Sequence, residues 1–263
     1  MKTSSFPPAL AAILASCALA TPLPAQIAIT SFASAVTENF DSIGTSATGV
    51  LPANWRMTAA GDNAVDWSDP TNVAATTCQA SAGSPTSGGR YNWGQSSTDR
   101  AIGFMTSGSY NSPNSILAQF SNNTGLTIDQ LSISFDYERY RINTAAASVS
   151  FFHSSDGTNW TAATSGDSGA MSTGTSSYGF TTLVSSDSKT VTLTSLNLDP
   201  GAAFYLRWNF STTGANSQGL GLDNFRLTAS AVPEPSTYAA IAGAVALLGA
   251  AWHRRRQQRS VGI

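Results

Sequence analysis

The stretch Leu131-Ser132-Ile133-Ser134-Phe135-Asp136-Tyr137-Glu138 alternates apolar and polar side chains without a break. Successive side chains of a β-strand point to opposite faces. Leu131, Ile133, Phe135 and Tyr137 therefore share one face, and Ser132, Ser134, Asp136 and Glu138 the other. The same period of two recurs at Val149 and Phe151, at Val191 and Leu193 set among Thr190, Thr192 and Thr194, and at Phe204, Leu206, Trp208 and Phe210. Turn signals punctuate these runs: Asn123-Thr124-Gly125, Asp156-Gly157, Asp199-Pro200-Gly201 and Gly214-Ala215-Asn216. No amphipathic helix of ten or more residues precedes the C-terminal tail. The expected fold is all-β: two antiparallel sheets packed as a jelly-roll-like β-sandwich, with long loops at its rims.

Composition supports strands and loops over helices. Of 263 residues only 11% are charged, where an ordinary globular protein has about 25%. Ser and Thr make up about a quarter of the chain, alongside 22 Gly, 12 Phe, 7 Tyr and 6 Trp. A formal charge of −2 with 13 Lys and Arg provides no basic stripe to neutralise phosphates, which excludes nucleic acid as a partner. Residues 26–231 hold eight basic and fourteen acidic residues, a balance of −6.

Both ends read as addresses. Lys2, the apolar run Ala9 to Ala20, and Thr21-Pro22-Leu23-Pro24-Ala25 have the charged, hydrophobic and small-residue parts of a secretory signal. The apolar run is too short to span a bilayer, and cleavage by signal peptidase after Ala20 or Ala25 fits. Leu14-Ala15-Ser16-Cys17 also resembles a bacterial lipobox, in which Cys17 would be lipidated. Near the C-terminus, Val232-Pro233-Glu234-Pro235-Ser236 precedes an uncharged run from Tyr238 to Trp252, closed by a basic tail over 253–263 with Arg254, Arg255, Arg256 and Arg259. A helix over 237–252 is long enough, at about 1.5 Å per residue, to cross a membrane. The arginines keep the tail cytoplasmic and place everything before Pro235 outside. The organisation is thus a signal peptide (1–25), a β-sandwich (26–231) and a tail (232–263).

This three-part ending resembles the PEP-CTERM sorting signal of Gram-negative bacteria in order, spacing and position. The resemblance implies handling by an exosortase, a membrane enzyme with a Cys-His-Arg active site. It further implies cleavage near Pro233-Glu234-Pro235 and delivery to the cell surface or an exopolysaccharide matrix, with Glu234 recognised and not catalytic. Glu38-Asn39-Phe40-Asp41-Ser42, Leu51-Pro52-Ala53-Asn54-Trp55, Ser155-Asp156-Gly157-Thr158-Asn159-Trp160 and Gly221-Leu222-Asp223-Asn224-Phe225-Arg226-Leu227 look like phrases of secreted jelly-roll and carbohydrate-binding-like domains. They imply a fold and are silent about a ligand.

Candidate chemistry within 26–231 is sparse. Cys78 is the one cysteine left after signal removal, so no intramolecular disulfide forms, and a semi-buried strand position suits it. His153 is the one histidine there, which excludes a His-rich zinc site and fits a structural role at a strand end. Asp136 and Glu138, two apart on a strand, project from one face about 6 to 7 Å apart beside Tyr140, as sugar contacts or, less favoured, as the carboxylate pair of a glycosidase. Tyr91 and Trp93 follow a Gly/Ser/Pro-rich loop and form a candidate rim pair for stacking on sugar. A structural Ca²⁺ has two candidate sites: the loop acids Asp62, Asp66 and Asp69, or Glu38 and Asp41 meeting Asp223 if the first and last strands lie side by side. The expectation is a non-enzymatic surface or matrix protein with a structural or adhesive role. The alternative is a Ca²⁺-assisted polysaccharide-binding module.

Overall fold

The computed structural model describes residues 26–61, 65–95, 98–212, 217–231 and 242–252. Its strands are β1 (Ile27–Ile29), β2 (Val36–Glu38), β3 (Trp55–Met57), β4 (Cys78–Ala80), β5 (Gly89–Gly94), β6 (Arg100–Met105), β7 (Asn114–Asn122), β8 (Ile128–Ile142), β9 (Ala147–Ser154), β10 (Thr161–Ala162), β11 (Ser177–Tyr178), β12 (Ser185–Leu193), β13 (Ala203–Thr212) and β14 (Gly219–Ala231). Two 3₁₀ turns, Asp41–Ile43 and Thr164–Gly166, interrupt them.

The strands form two sheets. A six-stranded sheet runs β1-β7-β13-β9-β10, with β3 also on β7. An eight-stranded sheet runs β11-β8-β14-β6-β5-β4, with β12 on β8 and β2 on β14. Pairing is antiparallel except for β1 with β7 and β4 with β5. The quoted stretch lies at the centre of β8, flanked by β12 and β14.

Each alternating run turns its apolar members inward. Leu131, Ile133, Phe135, Tyr137, Val149, Phe151, Val191, Leu193, Phe204, Leu206, Trp208 and Phe210 all lie in the core between the sheets. Trp55 stacks on Trp208 at 5.6 Å between ring centroids, and Phe225 meets both edge-on. Such contacts add about 0.5–1.5 kcal/mol per pair to the burial of large apolar surfaces. Three of the turn signals work as read: Gly125, Gly157 and Gly201 all have φ near +80°, which glycine adopts without a Cβ penalty. The fourth, Gly214-Ala215-Asn216, lies outside the described residues.

A second, smaller core lies on the outer side of the eight-stranded sheet. It comprises Ala80, Tyr91, Trp93, Ala101, Met105, Tyr140 and Phe180. The expected solvated outer face of β8 is therefore covered at its C-terminal end, where Glu138, Arg139, Tyr140 and Arg141 are all buried.

The terminal expectations fall largely outside the described residues: the signal peptide, Cys17, Val232 to Ser236, and Arg254, Arg255, Arg256 and Arg259. Of the expected 237–252 span, residues 242–252 are helical with exposed side chains, and no described helix is long and apolar enough to cross a membrane.

Candidate functional site

The residues singled out on β5 and β8 come together, but under cover. Tyr91 and Trp93 alternate with Arg90 and Asn92 on β5 and were expected at a rim. They are instead 1% and 0% exposed. Tyr91 stacks on Trp93 at 4.1 Å, and Trp93 on Tyr140 at 5.4 Å. Trp93 Nε1 donates to Leu220 O (3.0 Å). With their faces already occupied, these rings cannot stack on a sugar; they are anchors of the second core.

Asp136 and Glu138 share the outer face of β8 as the alternation requires, yet differ in environment. Asp136 is half-buried and its Oδ2 accepts from Asn224 Nδ2 (2.9 Å). Glu138 is buried, and Tyr140 Oη donates to its Oε2 (2.5 Å). Burial raises the Glu138 carboxyl above its usual range, and the Tyr140 hydrogen bond only partly offsets this. Asp223, on β14, pairs with Asp136 of β8 and is 2% exposed. Burial first, then the Glu138 charge, pushes its carboxyl up to about 8. Glu138 and Asp223 form a buried polar layer beside the half-buried Asp136, so Asp136 and Glu138 are not a matched pair of open carboxylates.

The first and last strands do lie side by side, with Glu38 opposite Phe225 and Val36 opposite Leu227. A bulge between Asp223 and Arg226, with Asn224 at φ 51°, reverses the alternation of β14. Leu220 and Leu222 before it and Phe225 and Leu227 after it all face the core. Asp223 thus projects outward, while Glu38, in register with Phe225, lies on the opposite side. Glu38 Oε1 accepts from Phe40 N (2.8 Å), and Asp41 Oδ1 accepts from Arg100 N (2.9 Å). Among the described residues no three His, Cys, Asp or Glu side chains converge to hold a metal ion, so Glu38, Asp41 and Asp223 do not fit a Ca²⁺ cage. In the loop alternative, Asp62 lies outside the described residues. Asp66 and Asp69 cap their own turns by accepting from Ser68 and Thr71.

Cys78 occupies β4 at intermediate exposure. His153 stacks on Phe204 at 5.8 Å, and burial lowers its basicity. Both fit the structural roles expected of them.

The feature not singled out from the sequence is the outer face of the six-stranded sheet. Its strands contain two residues of formal charge, Arg56 and Arg207. Both flank Leu117 in one cross-strand row that continues to Phe152 and Ala162. The Arg56 guanidinium lies 4.3 Å from the Trp67 ring centroid, and Arg207 lies 5.1 Å from Phe152 and 5.8 Å from Trp160. Arg56 Nη1 donates to Trp67 O (2.6 Å) and Arg207 Nε to Ser115 Oγ (3.0 Å), which also accepts from Asn209 Nδ2 (3.1 Å). In the next row, Gln119 Nε2 donates to Tyr205 Oη (3.0 Å), while the buried Gln119 Oε1 has no partner.

Two tied loops wall this face. Trp67 N donates to Gly157 O (2.9 Å), Trp160 Nε1 to Val65 O (2.8 Å) and Thr158 Oγ1 to Asp66 Oδ2 (3.2 Å). A Cβ on Gly157 would stand 2.9 Å from Trp67 Cβ, so glycine permits both the turn and the close approach. Trp67, Trp160, Phe152 and Asn209 remain half-buried. The signal for Arg207 was present in the sequence, because it lies between inward Leu206 and Trp208. Trp160 was legible only as part of a turn phrase.

Residues 231–256 match the PEP-CTERM protein-sorting motif, so the chain is a β-sandwich carrying a PEP-CTERM sorting tail. Solved structures similar to it are β-sandwich adhesin and carbohydrate-binding domains. The K1 cleaved adhesin domain of Lys-gingipain from Porphyromonas gingivalis W83 aligns at 15% identity over 75% of this chain and 99% of that one, with a TM-score of 0.42. The K3 cleaved adhesin domain of the same protein aligns at 14% over 73% and 98%, with a TM-score of 0.41. TmCBM61 in complex with beta-1,4-galactotriose aligns at 12% over 73% and 94%, with a TM-score of 0.35. No curated protein matches the chain.

Proposed function

We propose that this protein is exported, cleaved by an exosortase near Pro233-Glu234-Pro235, and retained at the cell surface or in the exopolysaccharide matrix, where it plays a structural or adhesive part without catalysis. The observation that carries this reading is the sorting motif over 231–256 behind a Ser/Thr-rich β-sandwich. The intact mass of the protein recovered from cells, with peptide mapping of both ends, tests it. A C-terminus near Pro233 to Ser236 and an N-terminus near residue 26 are expected. A mature chain still ending at Ile263 would overturn the cleavage and leave a membrane-anchored protein.

A second reading, a polysaccharide-binding module, is favoured by the outer face of the six-stranded sheet, where arginine, amide and indole groups meet. A glycosidase built on Asp136 and Glu138 is disfavoured, because Glu138 is buried against Tyr140 while Asp136 bonds Asn224.

A further inference from the structure

An unpaired sheet edge is a template for another strand, and this fold keeps all but one of its edges short. The outermost strands β1, β2, β3, β4, β10 and β11 are two or three residues long, whereas β12, on the open side of β8, has nine. β12 contains neither Gly nor Pro, and its nine residues pair in succession with Arg139 to Leu131 of β8 without a bulge. In a strand paired on one side, alternate N–H and C=O groups point away from the neighbour. Among the described residues no backbone bond outside the β8 ladder reaches 185–193. The strand is also open to solvent, with Ser185, Ser186, Ser188, Thr190 and Thr192 exposed.

The charges of β12 decide what fits this edge. Asp187 and Lys189 share the face of Val191 and Leu193, and Lys189 Nζ lies 2.9 Å from Asp187 Oδ2. A lysine on the inward face of an edge strand ordinarily blocks pairing, but here Asp187 offsets its charge. The order Asp187-Ser188-Lys189 is moreover self-complementary in the antiparallel sense. When two copies of β12 pair about a two-fold axis at Ser188, Asp187 of each lies opposite Lys189 of the other, and Ser186 opposite Thr190. Opposite charges and hydroxyl pairs are both favourable cross-strand neighbours. An axis at Asp187 or at Lys189 would instead set a charge against its own copy, so the charges select the register.

We propose that β12 joins β12 of a second copy of this chain, edge to edge about Ser188, so that two eight-stranded sheets become one continuous sheet. A contact of this size is weak in solution and becomes effective where many copies are held side by side. It goes beyond the structural role proposed above by supplying a homotypic contact, and it does not depend on C-terminal cleavage.

Two measurements on the full-length protein in detergent test this. In sedimentation velocity at rising concentration, the protein mass should move from one copy towards two. Asp187→Lys and Lys189→Asp should each weaken association about ten-fold or more, because both symmetry-related pairs turn repulsive together. The double variant carrying both changes again sets opposite charges together and should regain the parental association. Thermal melting checks that each variant is folded; if one is not, cross-linking decides. Under oxidation, Ser188→Cys should give a covalent dimer above the background of the parent chain, which carries Cys78. Cα atoms paired across a ladder lie about 4.5–5.5 Å apart, within disulfide reach. Thr192→Cys, roughly 27 Å from its counterpart in this register, should not cross-link. A single-copy mass at every concentration, association undiminished in the folded single variants or not regained in the double variant, or equal cross-linking of Thr192→Cys would overturn the proposal. A processed surface protein that stays single removes this inference alone. An uncleaved chain that still associates through β12 removes only the cleavage.

Discussion

Asp223 lies diagonally across the β8–β14 ladder from Glu138: Gly221 is the register partner of Glu138, and Asp223 that of Asp136. Two buried carboxyls thus occupy one face; burial raises the proton affinity of both, and the Glu138 charge raises that of Asp223 further.

This pair makes stability fall as pH rises. An unfolded Asp titrates near pH 3.9, whereas folded Asp223 does so at about 8. Between these values the folded chain holds a proton that the unfolded chain has lost, so the slope of unfolding free energy with pH is negative. The contribution is complete below about pH 4 and lost by about pH 8. Asp223→Asn keeps an acceptor for Asn224 N and removes the titration. Its melting temperature should exceed that of the parent by several degrees at pH 8 and match it near pH 4.5. A parallel shift at both pH values would refute the assignment.

Trp93→Ala should cost about 3–5 kcal/mol, as removal of a fully buried aromatic does. It also strands Leu220 O, which accepts from Trp93 Nε1. Gly94→Ala should be at least as harmful, because an added Cβ would lie 1.9 Å from Arg100 Nη1 in a buried guanidinium. Chemical denaturation of both variants measures this. Near-parental stability of Trp93→Ala would return Tyr91 and Trp93 to the list of exposed binding residues.

Asp156 accepts from the backbone N–H of Thr158 and of Asn159, which holds its carboxyl well below the usual range. The stability it adds is present above the unfolded value near pH 4 and lost as pH falls below it. Asp156→Ala should loosen the turn that fixes Trp160 and Trp67. Increased amide hydrogen exchange at residues 157–160, with little change in β8, is the expected signature.

On the proposed sorting route, replacing Arg254, Arg255, Arg256 and Arg259 with Gln would remove the charges expected to hold the tail on the cytoplasmic side. The expected result is loss of C-terminal processing, read as an unchanged intact mass. Normal cleavage of that variant would show the basic cluster to be dispensable.

Much of the fold was legible because burial on one face writes itself into a strand as alternation. Leu131, Ile133, Phe135 and Tyr137 face the core for that reason, as do Phe204, Leu206, Trp208 and Phe210. The sorting motif was legible because a short linear signal is recognised as sequence, independent of the domain it follows.

Alternation separates two faces but does not say what covers either. Glu138 and Tyr140 were correctly placed opposite Tyr137, yet only tertiary packing brings Trp93 and Phe180 over that outer face and raises the carboxyls beneath. Period two also assumes an unbroken ladder. The bulge at Asn224 reverses the faces of β14 and separates Asp223 from Glu38, although their strands are neighbours as expected. Arg56 and Arg207 lie 151 positions apart and meet across Leu117 only through the order of three strands. Sequence by itself determined the strands, their inward faces and the sorting address, because each is encoded locally. The tertiary structure alone decided which polar residues are buried and which share a surface, because both depend on contacts between segments distant in the chain.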